Sequence, residues 1–292
     1  MNITLSKVRQ NTLGYIYTYL ANGSQPVDSE LFWSIAQEKE YEHLRKAHAK
    51  AVLHTCRDAA DSARLLADRL ESTKNRMHGD MTTAALREEI ERYAGQSIAF
   101  DAALRSLLYS LGDKMRDSSA PLAQRTSDVL RLAAVVESMG RELTLRFADF
   151  PCYRQQLEGL AAAVNRRARM MLACLVLQSP ETLSDNKEYS GLARLAQDIQ
   201  ELRPAVEKLA TAVIARIPLM ESRLEGLLNN YSVDRLDYVD KAILYISLYE
   251  LEENGLEVPI VVSEATALAN EFSGSKSAPF IHGVIAAAAA SK

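Results

Sequence analysis

The stretch "NYSVDRLDYVDKAILYISLYELEENGLEVP", residues 230–259, decides how this chain folds. Asp237 is placed to cap a helix, and Asp240, three residues on, puts a carboxylate in the first turn, where the helix dipole favours negative charge. Beyond them Val239, Ile243 and Ile246 form one apolar stripe and Leu244, Leu248 and Leu251 a second beside it. A helix with two adjoining apolar stripes is buried on most sides. Asn254-Gly255 stops it, and Pro259 opens the next element. That element reads as one helix to about Phe272, then a Ser-Gly-Ser turn and a short final helix with Pro279 in its first turn.

Outward from this stretch, helical periodicity dominates. Residues 5–21 place Val8, Thr12, Leu13, Ile16 and Leu20 on one stripe, and Asn22-Gly23 ends it. An Ala- and Leu-rich pattern runs from about Asp28 to Glu71 with a break near 39–42, and "STKNRMHGDMTT" interrupts it. Further helices are predicted at 83–94, 97–113, 120–148, 154–177, 189–200 and 203–229, with turn chemistry at "GDKMRDSSAP", "FPCY" and "SPETLSDN". No alternating strand separates them, so the fold is expected to be all-α.

At 292 residues the chain exceeds what one growing core usually serves, and a domain boundary is expected. A formal net charge of -4 gives no global attraction to nucleic acid, so any such contact has to come from a local basic patch. Cys56, Cys152 and Cys174 are odd in number and form no C-x-x-C pair, which argues against a disulfide framework and a zinc site and fits a reducing cytoplasm. No apolar run has the length of a membrane span, and the first residues lack a signal-peptide pattern. His43, His48 and His54 are five and six residues apart and do not share a helical face, the carboxylates of "LREEIER" have arginine neighbours as on a solvated face, and no nucleophile motif or phosphate-binding glycine loop occurs. No enzyme, metal or cofactor is therefore expected.

The two sides of Pro151 echo each other in order: "LRKAHAKAVL" with "LRPAVEKLATAVI", "FDAALRSLLYSL" with "VDKAILYISLYEL", "TSDVLRLA" with "VSEATALA". More specific are "NYSVDRLDYVDKAILYISLYEL", "SEATALANEF" and "KSAPFIHG". In that order they resemble the C-terminal half of the NusB family of transcription antitermination factors. There the pattern is an aromatic, D/E-R-L, V-D/E-K/R-A-I-L, A-L-Y-E-L, a V-P turn, N-E-A-x-x-L-A and F-V-N-G. The close likeness covers about sixty residues. "NRRARMMLACLVL", 165–177, stands where that family's Arg-rich first helix belongs, yet "SKVRQNTLGYIYTYLANG" also resembles it, with Arg9 and Tyr17 at the matching places, and "ELFWSIAQEKEYEHL" resembles the next segment of extended members. Two arrangements satisfy this: tandem NusB-like units, a divergent one over 1–150 and a complete one over 155–292, or one unit begun by residues 5–21 and split by a long helical insert. The tandem form is the expectation.

The resemblance implies a noncatalytic helical module that binds boxA-type single-stranded RNA jointly with the ribosomal protein NusE, within the RNA polymerase antitermination complex on ribosomal RNA operons. Single-stranded RNA is held by phosphate contacts from Arg and Lys and by bases stacked on aromatic rings. The RNA-facing residues it implies are Arg166, Arg167, Arg169, Tyr231, Lys276 and Phe280, with Lys7 and Arg9 if the first helix is at 5–21. Asp234, Arg235, Asp240 and Lys241 are the implied surface charges for the protein partner, tuning encounter and register. Ser263 and His282 replace two asparagines of the pattern, Tyr245 stands where a basic residue is common, the Asp usual after the F-V-N-G motif is missing, and the segment from Pro259 to Glu264 is about two residues short. These departures bear on RNA binding more than on fold, and the alternative is a NusB-like scaffold that kept the protein interface and lost RNA.

Overall fold

The computed structural model describes residues 5–112, 119–183, 185–228, 231–274 and 276–291. Asn230 at the head of the quoted stretch, Ser275 of the Ser-Gly-Ser turn, Ser184, and 113–118 of the loop expected after α5 lie outside the described residues. Among the described residues there are eleven α-helices and no strand: α1 (Leu5–Ala21), α2 (Ser29–Ala36), α3 (Glu38–Thr55), α4 (Ala59–Met77), α5 (Ala84–Gly112), α6 (Ser119–Arg146), α7 (Arg154–Leu175), α8 (Ser190–Leu227), α9 (Tyr238–Glu252), α10 (Val258–Phe272) and α11 (Ser277–Ala290). The all-α reading holds, and the differences lie at the breaks.

The pattern over 28–71, expected to break near 39–42, is three helices, parted at Gln37 and at the turn over 56–58. Conversely 83–94 and 97–113 are one helix, because Ile90, Tyr93, Ser97 and Phe100 are buried on one face across Gly95. A glycine inside a helix costs about 1 kcal/mol. Burying one large apolar side chain yields about 1.5–3 kcal/mol, so the face wins. The same competition carries α8 through Pro204 and Pro218. Each proline removes a backbone hydrogen bond at roughly 3 kcal/mol or more, against seven apolar residues from Leu202 to Leu224 that the helix buries at that spacing: Leu202, Val206, Ala210, Val213, Ile217, Met220 and Leu224.

The chain divides into two compact units, Met1–Glu38 with Gln197–Lys292, and Lys39–Ala196, the second division falling within α8. The division does not fall at the tandem boundary expected between 150 and 155. Packing explains why residue 151 is no boundary. α7 lies against α4 and α6, and its Leu157, Leu160 and Val164 share one core with Leu66 of α4, Ile90 and Phe100 of α5 and Val136 of α6. Gly140 of α6 admits the closest approach there, since a Cβ would stand 3.1 Å from Val164 and 3.2 Å from Tyr93. Cys56 and Cys174 are free thiols buried in this same core, and Cys152 is a free thiol at the surface.

The other unit is built around α9. α1, α10 and α11 pack on it, and Ala242 through Ile246, Leu248 and Leu251 are all buried, as the two adjoining stripes predict. Leu13, Ile16 and Leu20 of α1 join the same core with Val213, Ile217 and Leu224 of α8, Val261 and Leu268 of α10, and Ile281 and Ile285 of α11. Gly255 follows α9 with φ +63°, a left-handed conformation that glycine adopts without a Cβ penalty. Leu256 N–H then returns to the Glu250 carbonyl at 3.1 Å. Pro259 sits in the first turn of α10, where its missing N–H costs nothing.

Candidate nucleic-acid interface

The unit built on α9 shows what became of the charges around that helix. Asp237 has the extended backbone of an N-cap, and its carbonyl accepts the Lys241 N–H at 2.9 Å, but its side chain makes no capping bond. Asp240 and Lys241, expected at the surface, are only 7% and 8% exposed. The Asp240 carboxylate is consumed inside: Ser273 Oγ donates to it at 2.7 Å and Ser277 Oγ at 3.0 Å, tying α9 to the turn between α10 and α11. The surface position implied for these two residues is thereby corrected, because the Asp240 carboxylate is occupied by two hydroxyls and Lys241 is largely covered. Asp234 and Arg235 are exposed, in the 3-10 turn that precedes α9.

Arg9 is corrected in the same way. It is 3% exposed, its Nε donates to both Glu250 oxygens at 2.8 and 3.0 Å, and its Nη1 lies 3.1 Å from Glu264. Burial pushes the Glu250 carboxyl above the usual range, the Arg9 guanidinium pulls it back down, and Glu264 adds a smaller upward push. Arg9 therefore clasps α1 to α9 and α10 and does not reach outward for a phosphate. The spacing Arg9, Thr12, Leu13, Ile16, Leu20 puts it on the buried stripe, a signal legible in the sequence. Tyr245, which stands where the family pattern is often basic, is buried as well, its hydroxyl donating to Glu221 at 2.9 Å.

What this unit does expose is a set of tyrosines with cations beside them. Tyr231 is 43% exposed, its hydroxyl donates to the Arg235 carbonyl at 3.1 Å, and the Arg235 guanidinium stands 5.4 Å from its ring centroid. Tyr17 of α1 and Tyr238 of α9, 43% and 46% exposed, meet edge to face at 6.5 Å and 74°. The Lys241 ammonium lies 5.8 Å from the Tyr238 centroid. Lys276 is exposed at the start of α11, while Phe280 is half-buried against the core and Lys7 is half-buried on α1. Rings with open faces and cations beside them are the chemistry that holds unpaired nucleotides. Tyr17 was marked by the resemblance without a role, and Tyr238 by nothing beyond its place in the first turn of an apolar helix.

The three arginines of α7 are in the other unit. Arg166 and Arg169 are exposed, but Arg167 has no exposed surface. It donates to Asp101 at 2.5 Å, to the Ser97 carbonyl at 3.1 Å and to Ser62 Oγ at 3.0 Å, with the Phe100 ring centroid 5.5 Å from its guanidinium carbon. An RNA-facing role for Arg167 is corrected by this burial. The spacing again explains it: Leu160, Val164, Arg167, Met171 and Cys174 form one continuous buried face of α7.

No group of three or more His, Cys, Asp or Glu side chains that could hold a metal ion occurs among the described residues. Nor, among them, is any helix long and apolar enough to cross a membrane.

Comparison with known proteins bears on this geometry. The family model described as "NusB family" matches residues 166–290. The chain is similar to transcription antitermination protein NusB of Campylobacter hominis, 31% identical over 98 residues, which is 34% of this chain and 72% of that protein. It is 30% identical over 110 residues to the protein of that name from Clostridium botulinum strain Hall, covering 37% and 74% of the two chains. For the one from Dehalococcoides mccartyi strain CBDB1 the figures are 29% over 117 residues, 38% and 82%. No solved structure matches the chain. The family match starts within α7, whereas the compact unit that holds α9 takes α1 from the far end of the sequence.

Proposed function

The chain belongs to the NusB family, and we propose that it acts as a noncatalytic transcription antitermination factor in the cytoplasm. In this reading it binds boxA-type single-stranded RNA together with the ribosomal protein NusE, and promotes read-through by RNA polymerase on ribosomal RNA operons. The observation that carries the proposal is Tyr231, an exposed ring with the Arg235 guanidinium 5.4 Å from its centroid, next to the exposed Asp234. The ring offers a face to a base, and the two charges offer a partner its register. Lys276 and, in the other unit, Arg166 and Arg169 are exposed cations suited to phosphates. In this reading α1, which packs on α9, stands in for the family's first helix.

One observation favours a second reading, a NusB-like scaffold that binds protein and not RNA. Arg9 and Arg167, two of the expected phosphate ligands, are spent in buried ion pairs. Titration of a fluorescent boxA-type RNA with the full chain, with and without NusE and at several salt concentrations, separates the two. Affinity that rises with NusE and falls steeply with salt is expected of an antitermination factor. NusE binding with no RNA binding at any salt assigns the scaffold.

A further inference from the structure

Tyr238 is not called for by the motifs and Tyr17 is marked by them without a role, yet the two form a pair of exposed rings on the unit's surface. They come from helices at opposite ends of the chain and stand edge to face, 6.5 Å apart at 74°. Both are more than two-fifths exposed, at 46% and 43%. Lys241, itself only 8% exposed, sets its ammonium 5.8 Å from the Tyr238 centroid. An ammonium at the ring and a second ring against its flank brace Tyr238 while leaving nearly half of the residue in solvent. An exposed aromatic fixed in this way loses little conformational freedom when a flat ligand stacks on it.

We infer that Tyr238, braced by Tyr17 and Lys241, is a stacking platform for one unpaired base of single-stranded RNA. The inference rests on the reading of this chain as an RNA-binding antitermination factor and adds a residue to it. Every base has a π-face, so such a contact adds affinity without choosing the sequence. Lys241 acts here as a positioning residue, because its ammonium lies against the ring. Seven residues earlier Tyr231 and Arg235 repeat the pairing of ring and cation, so the approach to α9 carries two places for a base.

The test uses the full chain and a labelled boxA-type RNA containing 2-aminopurine. The unaltered protein is expected to quench the 2-aminopurine emission at one position. Tyr238→Ala and Tyr238→Leu are expected to abolish that quench and weaken binding roughly 5- to 100-fold, with the slope of affinity against salt unchanged. Tyr238→Phe keeps the ring and is expected to keep both signals. Leu preserves apolar bulk, so a loss common to Ala and Leu but not to Phe, at unchanged helicity, belongs to the π-face and not to folding. RNA bound equally well by all four proteins overturns the platform and leaves the antitermination reading standing. Tyr238→Leu that loses NusE and keeps RNA assigns the ring to the protein partner and also overturns it. An unaltered chain that binds no RNA defeats the antitermination reading, and the platform with it.

Discussion

Arg9 and Glu250 are 241 positions apart in the chain and in direct contact in the core, Nε to both carboxylate oxygens at 2.8 and 3.0 Å. Their side chains are 4% and 7% exposed, so the pair is dry. The contact ties α1 to α9, beside the Leu13, Ile16 and Leu20 side chains that α1 adds to the same core.

Removing one member of a buried pair strands the other charge, and Arg9→Met is expected to cost about 3–5 kcal/mol of stability. The cost should depend on pH. Glu250 already has a raised carboxyl pKa that Arg9 holds down, so the variant raises it further. A carboxyl with a higher pKa folded than unfolded contributes stability that is full below the unfolded value and is lost as pH rises through the folded one. Urea unfolding should therefore find a larger deficit at pH 8 than at pH 5. An equal deficit at both would count against the buried pair.

Arg167 should separate from its neighbours in the same manner. Arg167→Ala removes the partner of Asp101, Ser97 and Ser62 in a core and is expected to destabilise the unit of residues 39–196 by about 3–5 kcal/mol. Arg166→Ala and Arg169→Ala, on the exposed side of the same helix, should stay within about 0.5 kcal/mol of the unaltered protein. Thermal unfolding of the three variants compares them directly, and equal effects would mean that α7 is not oriented as described.

Lys276 stands exposed at the head of α11. If it meets a phosphate, Lys276→Ala reduces the slope of log affinity against log salt by about 0.7, the value per contact for single-stranded nucleic acid. Phe280 is packed partly on the core, so Phe280→Ala should lower the melting temperature where Lys276→Ala does not. Anisotropy over a salt series, with melting curves on the same samples, reads both; an unchanged slope removes Lys276 from the interface.

The three thiols report on the core without any ligand. Cys152 is exposed, while Cys56 and Cys174 are buried together, the neighbouring Cys56 sulfur and burial pushing the Cys174 thiol up. Brief alkylation of the native protein is expected to add one group, at Cys152, with the other two reacting only in denaturant. Three rapid additions would show that the core around α7 is open.

Lys276, Asp234 and Arg235 were legible as surface groups because turn residues and helix starts leave side chains in water, whereas the exposure of Tyr231 was implied only by the family resemblance. Arg9 and Arg167 misled because a guanidinium at the surface and one inside a core look alike when read as charge. Their helical spacing, on the stripes of Ile16 and of Val164, carried the answer. Asp240 and Lys241 could not be placed from spacing, since α9 is buried nearly all round and only the serines between α10 and α11 and the ring of Tyr238 decide what those charges touch.

By itself the sequence determined that the chain is helical, that α9 is central, and that its last third matches the NusB pattern. Each of these depends on residues close together in the chain, where apolar period, caps and turn chemistry act locally. Tertiary structure alone decided that 39–196 interrupt that unit, that residues 5–21 complete it, and that Tyr17 stands beside Tyr238. Such pairings depend on which of several similar apolar faces pack together best, and local periodicity does not encode that choice.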